Sequence, residues 1–296
     1  MEKIIEIKNT LDFYVCANSL KNKLMDKKNN YSVADHLFGS MILATAIDSE
    51  FKETDDLSKT YRMLFLSEFS KLFPDYDYSS LKLGINYFDE VEDVRDRSNF
   101  YTKLVNKYKK LDKLLTKLIK ENDYPEEELI KEGSNIIANV LKKDPFECEE
   151  IFKFYYINFR LKDKVRSGWD NRHWNIKTNR KETVSEHVVG AFGLLMGLIS
   201  EFEYDFDTDK LFKTIIIHET GETIIGDITP FDGITDEEKL EIEHQAMKKA
   251  LGNLKDNKEL LDLLFEFDEA KTKETNLLHK IDKAEADLQS KVYLER

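Results

Sequence analysis

Apolar side chains recur at helical spacing through the second half of this chain. Positions with that spacing predict helices over residues 185–201, 208–224, 235–251 and 274–294. The first of these is apolar around so much of its circumference that we expect a mostly buried helix. Thr235, followed three residues later by Glu238, forms a capping box where the third helix begins. Residues 226–230, Gly-Asp-Ile-Thr-Pro, interrupt the pattern as a turn.

Composition agrees with a chain built from helices. The 296 residues include only eleven Gly and four Pro, while 35% are charged and 41% are apolar. Because residues that break helices are scarce, we predict an all-α fold. Gly190, Gly193 and Gly197 would weaken the predicted helix that contains them. We therefore expect these glycines to mark close packing against another helix.

Two segments of the chain are similar at a constant offset of 151 residues, as from His36 to His187. Residues 31–51 match 182–202 without a gap, and residues 64–68 fall on 215–219 at the same offset. Further upstream, residues 13–21 are similar to 154–162. This pattern predicts a two-copy duplication, too short for a solenoid. Since Asp144-Pro145 is a helix-start signal, we predict a first domain over 1–144 and a second over 145–296.

Two histidines and two carboxylates in the second copy stand out as candidate metal ligands. His187 lies in the first turn of a predicted helix, and the pair His218-Glu219 follows the apolar run 215–217. Asp282 lies beside the apolar side of the last predicted helix, so it can point inward. Imidazole nitrogen with carboxylate oxygen is a ligand set for a divalent cation.

The first copy lacks most of this chemistry. Ser67 stands where the second copy has His218, and Lys71 stands in the place of Glu222. The alignment of the later segments puts Val105 near the place of Asp282. Of the four ligand positions, only His36 and Glu68 keep a possible ligand in the first copy. Since two ligands rarely hold a metal, we predict a degenerate first copy that serves as a structural or regulatory partner.

Taken together, the motifs of the second copy resemble the HD-domain metal-dependent phosphohydrolases, and within them the 5′-deoxynucleotidase-like branch. The resemblance covers about residues 146–296 and lies in the stretches 180–187, 226–230 and 280–289. It implies an HD-like helical fold in each copy and one divalent metal ion, of undecided identity, held by His187, His218, Glu219 and Asp282. The central pair departs from the family, because Glu219 replaces the usual aspartate and its carboxylate is one methylene further out.

The resemblance also implies roles for residues around the metal. Glu222 matches a residue proposed to exchange a proton with the attacking water or the leaving oxygen, and Asp227 matches one thought to act near the sugar or that water. Arg166 and Trp169 belong to an Arg-x-Gly-Trp stretch that suits a phosphate and a base. Arg180 falls where the branch has another arginine. The implied reaction is hydrolysis of a nucleoside 5′-monophosphate, with a deoxy sugar.

Other functions stay open at this point. HD proteins also hydrolyse triphosphates and cyclic nucleotides, so a triphosphohydrolase or a phosphodiesterase is one alternative. A nucleotide-binding sensor with little turnover is another, given the His-Glu pair and the degenerate copy. Residues 218–222 approach the metalloprotease motif H-E-x-x-H, but Glu222 stands where that motif needs its second histidine. This difference argues against a protease.

Charge and hydropathy narrow the expected partners and location. A net charge of −13 argues against nucleic acid as a main partner, though not against a small nucleotide. We expect no membrane span and recognise no signal peptide at the first residues. With only Cys16 and Cys148, far apart, we expect reduced thiols and a cytoplasmic location. Because members of the branch tend to dimerise, the resemblance implies an internal pseudo-dimer of the two copies.

Overall fold

The computed structural model describes residues 7–170, 178, 180–225 and 235–294. Its first copy consists of six helices and one short hairpin within the described residues. In chain order these elements are α1 Lys8–Asn22, β1 Leu24–Asp26, β2 Tyr31–Ser32, α2 Val33–Phe51, α3 Leu57–Leu72, a 3₁₀ turn Tyr78–Ser80, α4 Tyr87–Arg95, α5 Phe100–Glu121 and α6 Glu126–Leu141. The two strands pair antiparallel just before α2.

The second copy is helical over its described residues. In chain order it has 3₁₀ turns Phe146–Cys148 and Arg160–Lys162 on either side of α7 Glu149–Phe159, then α8 Ser167–Asp170, α9 Val184–Glu201, α10 Thr208–Ile217, α11 Glu222–Ile225, α12 Asp236–Leu251, α13 Asn257–Glu269 and α14 Lys273–Leu294. The predicted all-α class is confirmed. The capping box of Thr235 and Glu238 is confirmed at the start of α12.

Helix α9 lies at the centre of the molecule. By length and composition alone it could cross a membrane, with a mean hydropathy of 1.2, although we expected no such segment from the sequence. It is 94% buried within the protein, so its apolar surface is satisfied by neighbouring helices. The capping box of Thr183 and Glu186 begins it, and Ser32 with Asp35 begins α2 in the same way.

The predicted helix over 208–224 is wrong in one respect, because it is interrupted at the candidate ligands. Helix α10 ends at Ile217, and α11 begins only at Glu222. Between them the backbone tightens into bonds three residues apart, from Thr220 N to Ile217 O (2.8 Å) and from Glu222 N to Glu219 O (3.1 Å). Such 3₁₀-type bonds rotate successive side chains by about 120° each, rather than 100°. The side chains of 218–222 therefore do not follow the α-helical face that the sequence predicted.

Helix bounds recur between the two copies and support the predicted duplication. Helices α3 and α10 begin 151 residues apart, α1 and α7 begin 141 apart, and α5 and α14 begin 173 apart with equal lengths of 22 residues. The last offset makes Lys109, not Val105, the counterpart of Asp282. The Val105 alignment was wrong because it requires an offset of 177 (282 − 105), whereas the last helices of the two copies begin 173 residues apart.

The two copies exchange their first helices. Helix α1 packs along α9 of the second copy, whereas α7 packs against α2 and α6 of the first. A Cβ on Gly197 would lie 3.2 Å from the backbone of Thr10, and one on Gly193 would lie 3.1 Å from Ala17 in α1. The expected role of these glycines in close helix packing is confirmed. The boundary at residue 145 stays a prediction, but the parts on either side of it are interleaved.

This exchange predicts that the second copy is not self-sufficient. We expect a fragment of residues 146–296 to aggregate or self-associate, because removing the first copy uncovers the faces of α9 that pack against α1 and α2. Light scattering coupled to gel filtration, with the full chain as control, measures this. A soluble, monomeric fragment as heat-stable as the full chain would contradict the prediction.

Candidate metal centre

The structure brings the four predicted ligands to one place. His187 extends from the first turn of α9, His218 and Glu219 follow the end of α10, and Asp282 lies in the middle of α14. One potential ligand atom from each of the four lies within 4.8 Å of all the others. We call these four residues the ligand cluster. Residues separated by 95 positions in the sequence therefore share a site small enough for one ion.

Distances within the ligand cluster show how it is arranged. Nε2 of His187 lies 2.8 Å from Oδ1 of Asp282 and 3.7 Å from Oε1 of Glu219. Nε2 of His218 lies 3.4 Å from the same Glu219 oxygen. Both imidazoles thus direct Nε2 toward the carboxylates.

The state of His218 fits a metal ligand. Its Nδ1 donates a hydrogen bond to the backbone oxygen of Ile215 at 2.8 Å, which leaves Nε2 as the nitrogen with the lone pair. That Nε2 is buried and has no hydrogen-bond partner among the residues that the structure describes. Since buried polar atoms are rarely unsatisfied, this nitrogen fits a ligand to a cation.

His187 is held by charged groups on both sides of its ring. Its Nδ1 lies 2.5 Å from Oε2 of Glu285 and 2.6 Å from Nη1 of Arg166. Complete burial and Arg166 act to lower the pKa of His187, but Glu285 and Asp282 raise it to about 9. A proton and a divalent cation therefore compete for this ring, as they do at most histidine ligands.

A cavity of about 490 Å³ opens beside the ligand cluster. His218, Glu219 and Asp282 form part of its wall. Further lining residues, which combine charged and apolar groups, include Arg166, Glu222, Leu240, Met247, Phe267 and His279. This volume lies within the range of about 300–1,000 Å³ that is usual for small-molecule sites. The site thus combines charged and apolar lining residues.

Two of the predicted site residues lie at this cavity. Arg166 is half-buried, and its pKa is raised because the carboxylates of Glu219 and Glu182 outweigh the effect of burial. Glu222 lies at the start of α11, where Nζ of Lys164 is 3.0 Å from its backbone oxygen and 3.4 Å from Oε2. Their proposed roles remain predictions. Asp227 lies outside the described residues.

Trp169 and Arg180 are not among the residues that line the cavity, and their predicted roles in substrate binding stay predictions. Trp169 donates from Nε1 to Glu182 at 2.7 Å and packs edge-on against Tyr293. Arg180 forms an ion pair with Glu186 and donates to the backbone oxygen of Lys21 at 3.0 Å. Trp169 is therefore held within the second copy, whereas Arg180 connects the second copy to the first.

Several residues around His187 were missed by the sequence analysis. Glu285 is fully buried, and its second oxygen accepts from Tyr14 at 2.8 Å and pairs with Lys21, both on α1. Burial alone would raise the pKa of Glu285, but Lys21 and His187 together hold it far below its usual range. The spacing from Asp282 to Glu285, one helical turn, was a signal for Glu285. The sequence contained no signal that α1 would reach this site.

The equivalent place in the first copy contains a lysine. Nζ of Lys109 forms an ion pair with Glu68 and donates to Oγ of Ser67 at 3.0 Å. These two residues are the counterparts of Glu219 and His218. Burial lowers the pKa of Lys109 to about 8, so it remains mostly charged at neutral pH. An ammonium group therefore contacts the residues that correspond to metal ligands in the second copy.

Comparison with known proteins places the second copy among characterised relatives. Residues 159–296 match the HD domain family. The 5′-deoxynucleotidase HDDC2 of Dictyostelium discoideum is 34% identical over 148 residues, which are 48% of this chain and 76% of that protein. The human 5′-deoxynucleotidase HDDC2 is 29% identical over 148 residues, or 49% and 69% of the two chains. The 5′-deoxynucleotidase hdd1 of Schizosaccharomyces pombe is 29% identical over 132 residues, or 43% and 63%.

Proposed function

The chain belongs to the HD-domain family, with 5′-deoxynucleotidases among its relatives, and we propose that it releases phosphate from nucleoside 5′-monophosphates, preferentially those with a deoxy sugar. As a member of this family it is a metal-dependent nucleotide phosphohydrolase. The observation that carries the proposal is the convergence of two histidines and two carboxylates at the wall of a cavity that also contains Arg166 and Glu222.

We propose that His187, His218, Glu219 and Asp282 together hold one divalent ion. HD domains bind divalent metals. A ligand set of nitrogen and oxygen atoms suits manganese, iron, cobalt, nickel or zinc better than a set of oxygen atoms alone does. When bound, such an ion supplies Lewis acidity toward a phosphoryl oxygen and makes water a better nucleophile at neutral pH. Two observations support the fit of such an ion to the site. Nε2 of His218 has no hydrogen-bond partner among the described residues, and the four ligand atoms lie within 4.8 Å of one another.

The side chains around the ion have separable tasks. The guanidinium of Arg166 binds the phosphate, since its donors face the ligand cluster and its charge is retained on burial. The carboxylate of Glu222 moves a proton between the attacking water and the leaving oxygen. Asp227, on the segment that follows α11, keeps its predicted role near the sugar.

The aromatic residues of the cavity wall provide a place for the base. Phe267 and His279 stack at 4.2 Å between ring centres, with a tilt of 15°. Both line the cavity, and Nε2 of His279 lies 2.7 Å from the backbone oxygen of Phe267, which fixes the pair. This pair is better placed than Trp169 to form an aromatic wall for the base.

Turnover with purified protein tests the proposed function. We expect phosphate release from deoxynucleoside 5′-monophosphates with Mn²⁺, Co²⁺ or Mg²⁺, and loss of that release with a chelator, because the ion supplies the Lewis acid. His187→Ala should abolish the activity, whereas the matched first-copy variant His36→Ala should leave it unchanged. Release of pyrophosphate or triphosphate, or cleavage of cyclic nucleotides, would favour the alternative hydrolases. Nucleotide binding without turnover would favour a sensor.

We also propose that the two copies form an internal pseudo-dimer and that the protein acts in the cytoplasm. The exchange of α1 and α7 supports the first proposal. Cys16 and Cys148 are free thiols, which supports the second because such thiols stay reduced in that compartment.

A further inference from the structure

The two copies contain the same four-residue network around their histidines. In the second copy, Glu285 joins Nδ1 of His187 to Lys21 and to the hydroxyl of Tyr14. In the first copy, Asp112 joins Nδ1 of His36 (2.6 Å) to Lys162 (2.6 Å) and to the hydroxyl of Tyr155 (2.8 Å). In each network the lysine and tyrosine come from the other copy: Tyr14 and Lys21 lie on α1, whereas Tyr155 lies on α7 and Lys162 in the 3₁₀ turn that follows it.

The glycine beside each network shows how closely the exchanged helices approach. A Cβ on Gly190 would lie 2.4 Å from Oε1 of Glu285 and 2.6 Å from Nζ of Lys21. A Cβ on Gly39 would lie 1.8 Å from Oδ1 of Asp112 and 2.5 Å from Nζ of Lys162. Only glycine leaves room for the carboxylate and the ammonium at these two positions. In both copies, therefore, a glycine allows the carboxylate and the ammonium group of the network to lie close to the helix backbone.

Glu285 depends on the first copy for its charge balance. It is fully buried, as is most of the side chain of Lys21, which also pairs with Glu182 at 2.7 Å. Without Lys21, the two buried carboxylates of Glu182 and Glu285 would lose the ammonium group that they share. A buried charge that loses its partner is strongly destabilised, so Glu285 would move from this position. That movement would alter its bond to His187.

We propose that Tyr14 and Lys21 are positioning residues of the metal centre, through which the first copy holds Glu285 and thereby fixes the ring of His187 for the ion. This inference rests on the proposed function. A histidine ligand is commonly oriented by a carboxylate that accepts from its other ring nitrogen, and that carboxylate is oriented in turn. Here the second oxygen of the carboxylate is held from the other copy. The first copy thus completes the site of the second while holding no complete ligand set in its own described residues.

Binding of Co²⁺ alone to the full-length protein tests this inference. We expect Lys21→Met to weaken Co²⁺ binding about 10–100-fold and to shift its visible absorption spectrum, which reports ligand geometry. Tyr14→Phe removes one hydroxyl and should act in the same direction, toward the lower end of that range. Both effects arise because Glu285 loses a partner on the oxygen that faces away from His187.

The mirrored network supplies matched controls. Lys162→Met and Tyr155→Phe remove the same groups from equally buried positions, so they should lower the melting temperature to a similar extent. They should leave the Co²⁺ affinity and spectrum as in the wild type. In a Glu285→Gln background, Lys21→Met should weaken Co²⁺ binding no further, because Lys21 acts through that carboxylate.

Each outcome decides between the inference and its alternatives. If Lys21→Met and Tyr14→Phe bind Co²⁺ with the affinity and spectrum of the wild type, the inference is overturned and the proposed function stays intact. Equal losses of affinity in the second-copy variants and their mirrored controls would also overturn it, by showing a general effect of stability. If Lys21→Met does not fold, the comparison of Tyr14→Phe with Tyr155→Phe decides. A wild type that binds no Co²⁺ would overturn the proposed function together with the inference.

Discussion

An Asp282→Lys variant is expected to fold, to bind no divalent ion and to lose phosphohydrolase activity. The first copy already accommodates this arrangement, because Lys109 in the equivalent position contacts Ser67 and Glu68. A lysine at 282 would place its ammonium group against Glu219 and occupy the space between the ligands. Losing the ion removes several kcal/mol of transition-state stabilisation, which corresponds to a rate loss of more than about 10³.

Metal analysis, phosphate release and melting temperature together check this expectation. Asp282→Asn is the comparison, because it keeps an oxygen in place and should recover activity at high metal concentration, whereas the lysine variant should not. The reverse change in the first copy, Ser67→His with Lys109→Asp, should add a second bound metal. Full metal content and normal turnover in Asp282→Lys would remove Asp282 from the ligand cluster.

Glu222→Gln should slow turnover by about 10²–10⁴ while metal binding stays close to that of the wild type, since general acid–base help is usually of this size. The residue lies at the cavity beside His218 and Glu219 but outside the ligand cluster. Glutamine keeps the shape of the side chain and its contact with Lys164, but it cannot exchange a proton. Single-turnover phosphate release at saturating metal measures the effect.

The mirrored position provides the control for this variant. Lys71, the counterpart of Glu222, is largely exposed and pairs with Glu68. Lys71→Gln should therefore leave both turnover and stability nearly unchanged. Unaltered turnover in Glu222→Gln would show that another group, Asp227 among the candidates, transfers the proton.

The four candidate ligands could be predicted from short stretches of sequence. Metal ligands have to be particular types of side chain. The residues next to each ligand in the sequence have to form the start of a helix, the end of an apolar run or one face of the last helix. Those requirements are local and leave a local pattern around His187, His218 and Asp282. The structure brings these residues within 4.8 Å, although their role as ligands is still to be measured.

Predictions about substrate-binding residues were less successful where they depended on long-range packing. Trp169 and Arg180 lie close in sequence to the ligand cluster, but they contact Glu182 and Glu186 instead of the cavity. The aromatic residues that line the cavity include Phe267 and His279, which are about 100 residues further along the chain. Proximity in sequence did not predict which aromatic side chain would face the cavity.

By itself, the sequence determined the all-α class and the central buried helix, and it predicted the duplication and the candidate ligands, because each follows from residue type and spacing. Only the tertiary structure decided that α10 ends at Ile217, that Lys109 is the counterpart of Asp282, and that Tyr14 and Lys21 reach Glu285. An apolar pattern shows which face of a helix is buried but not which helix covers it. That choice depends on the total packing of both copies, and here it connects the first helix of each copy to the histidine of the other.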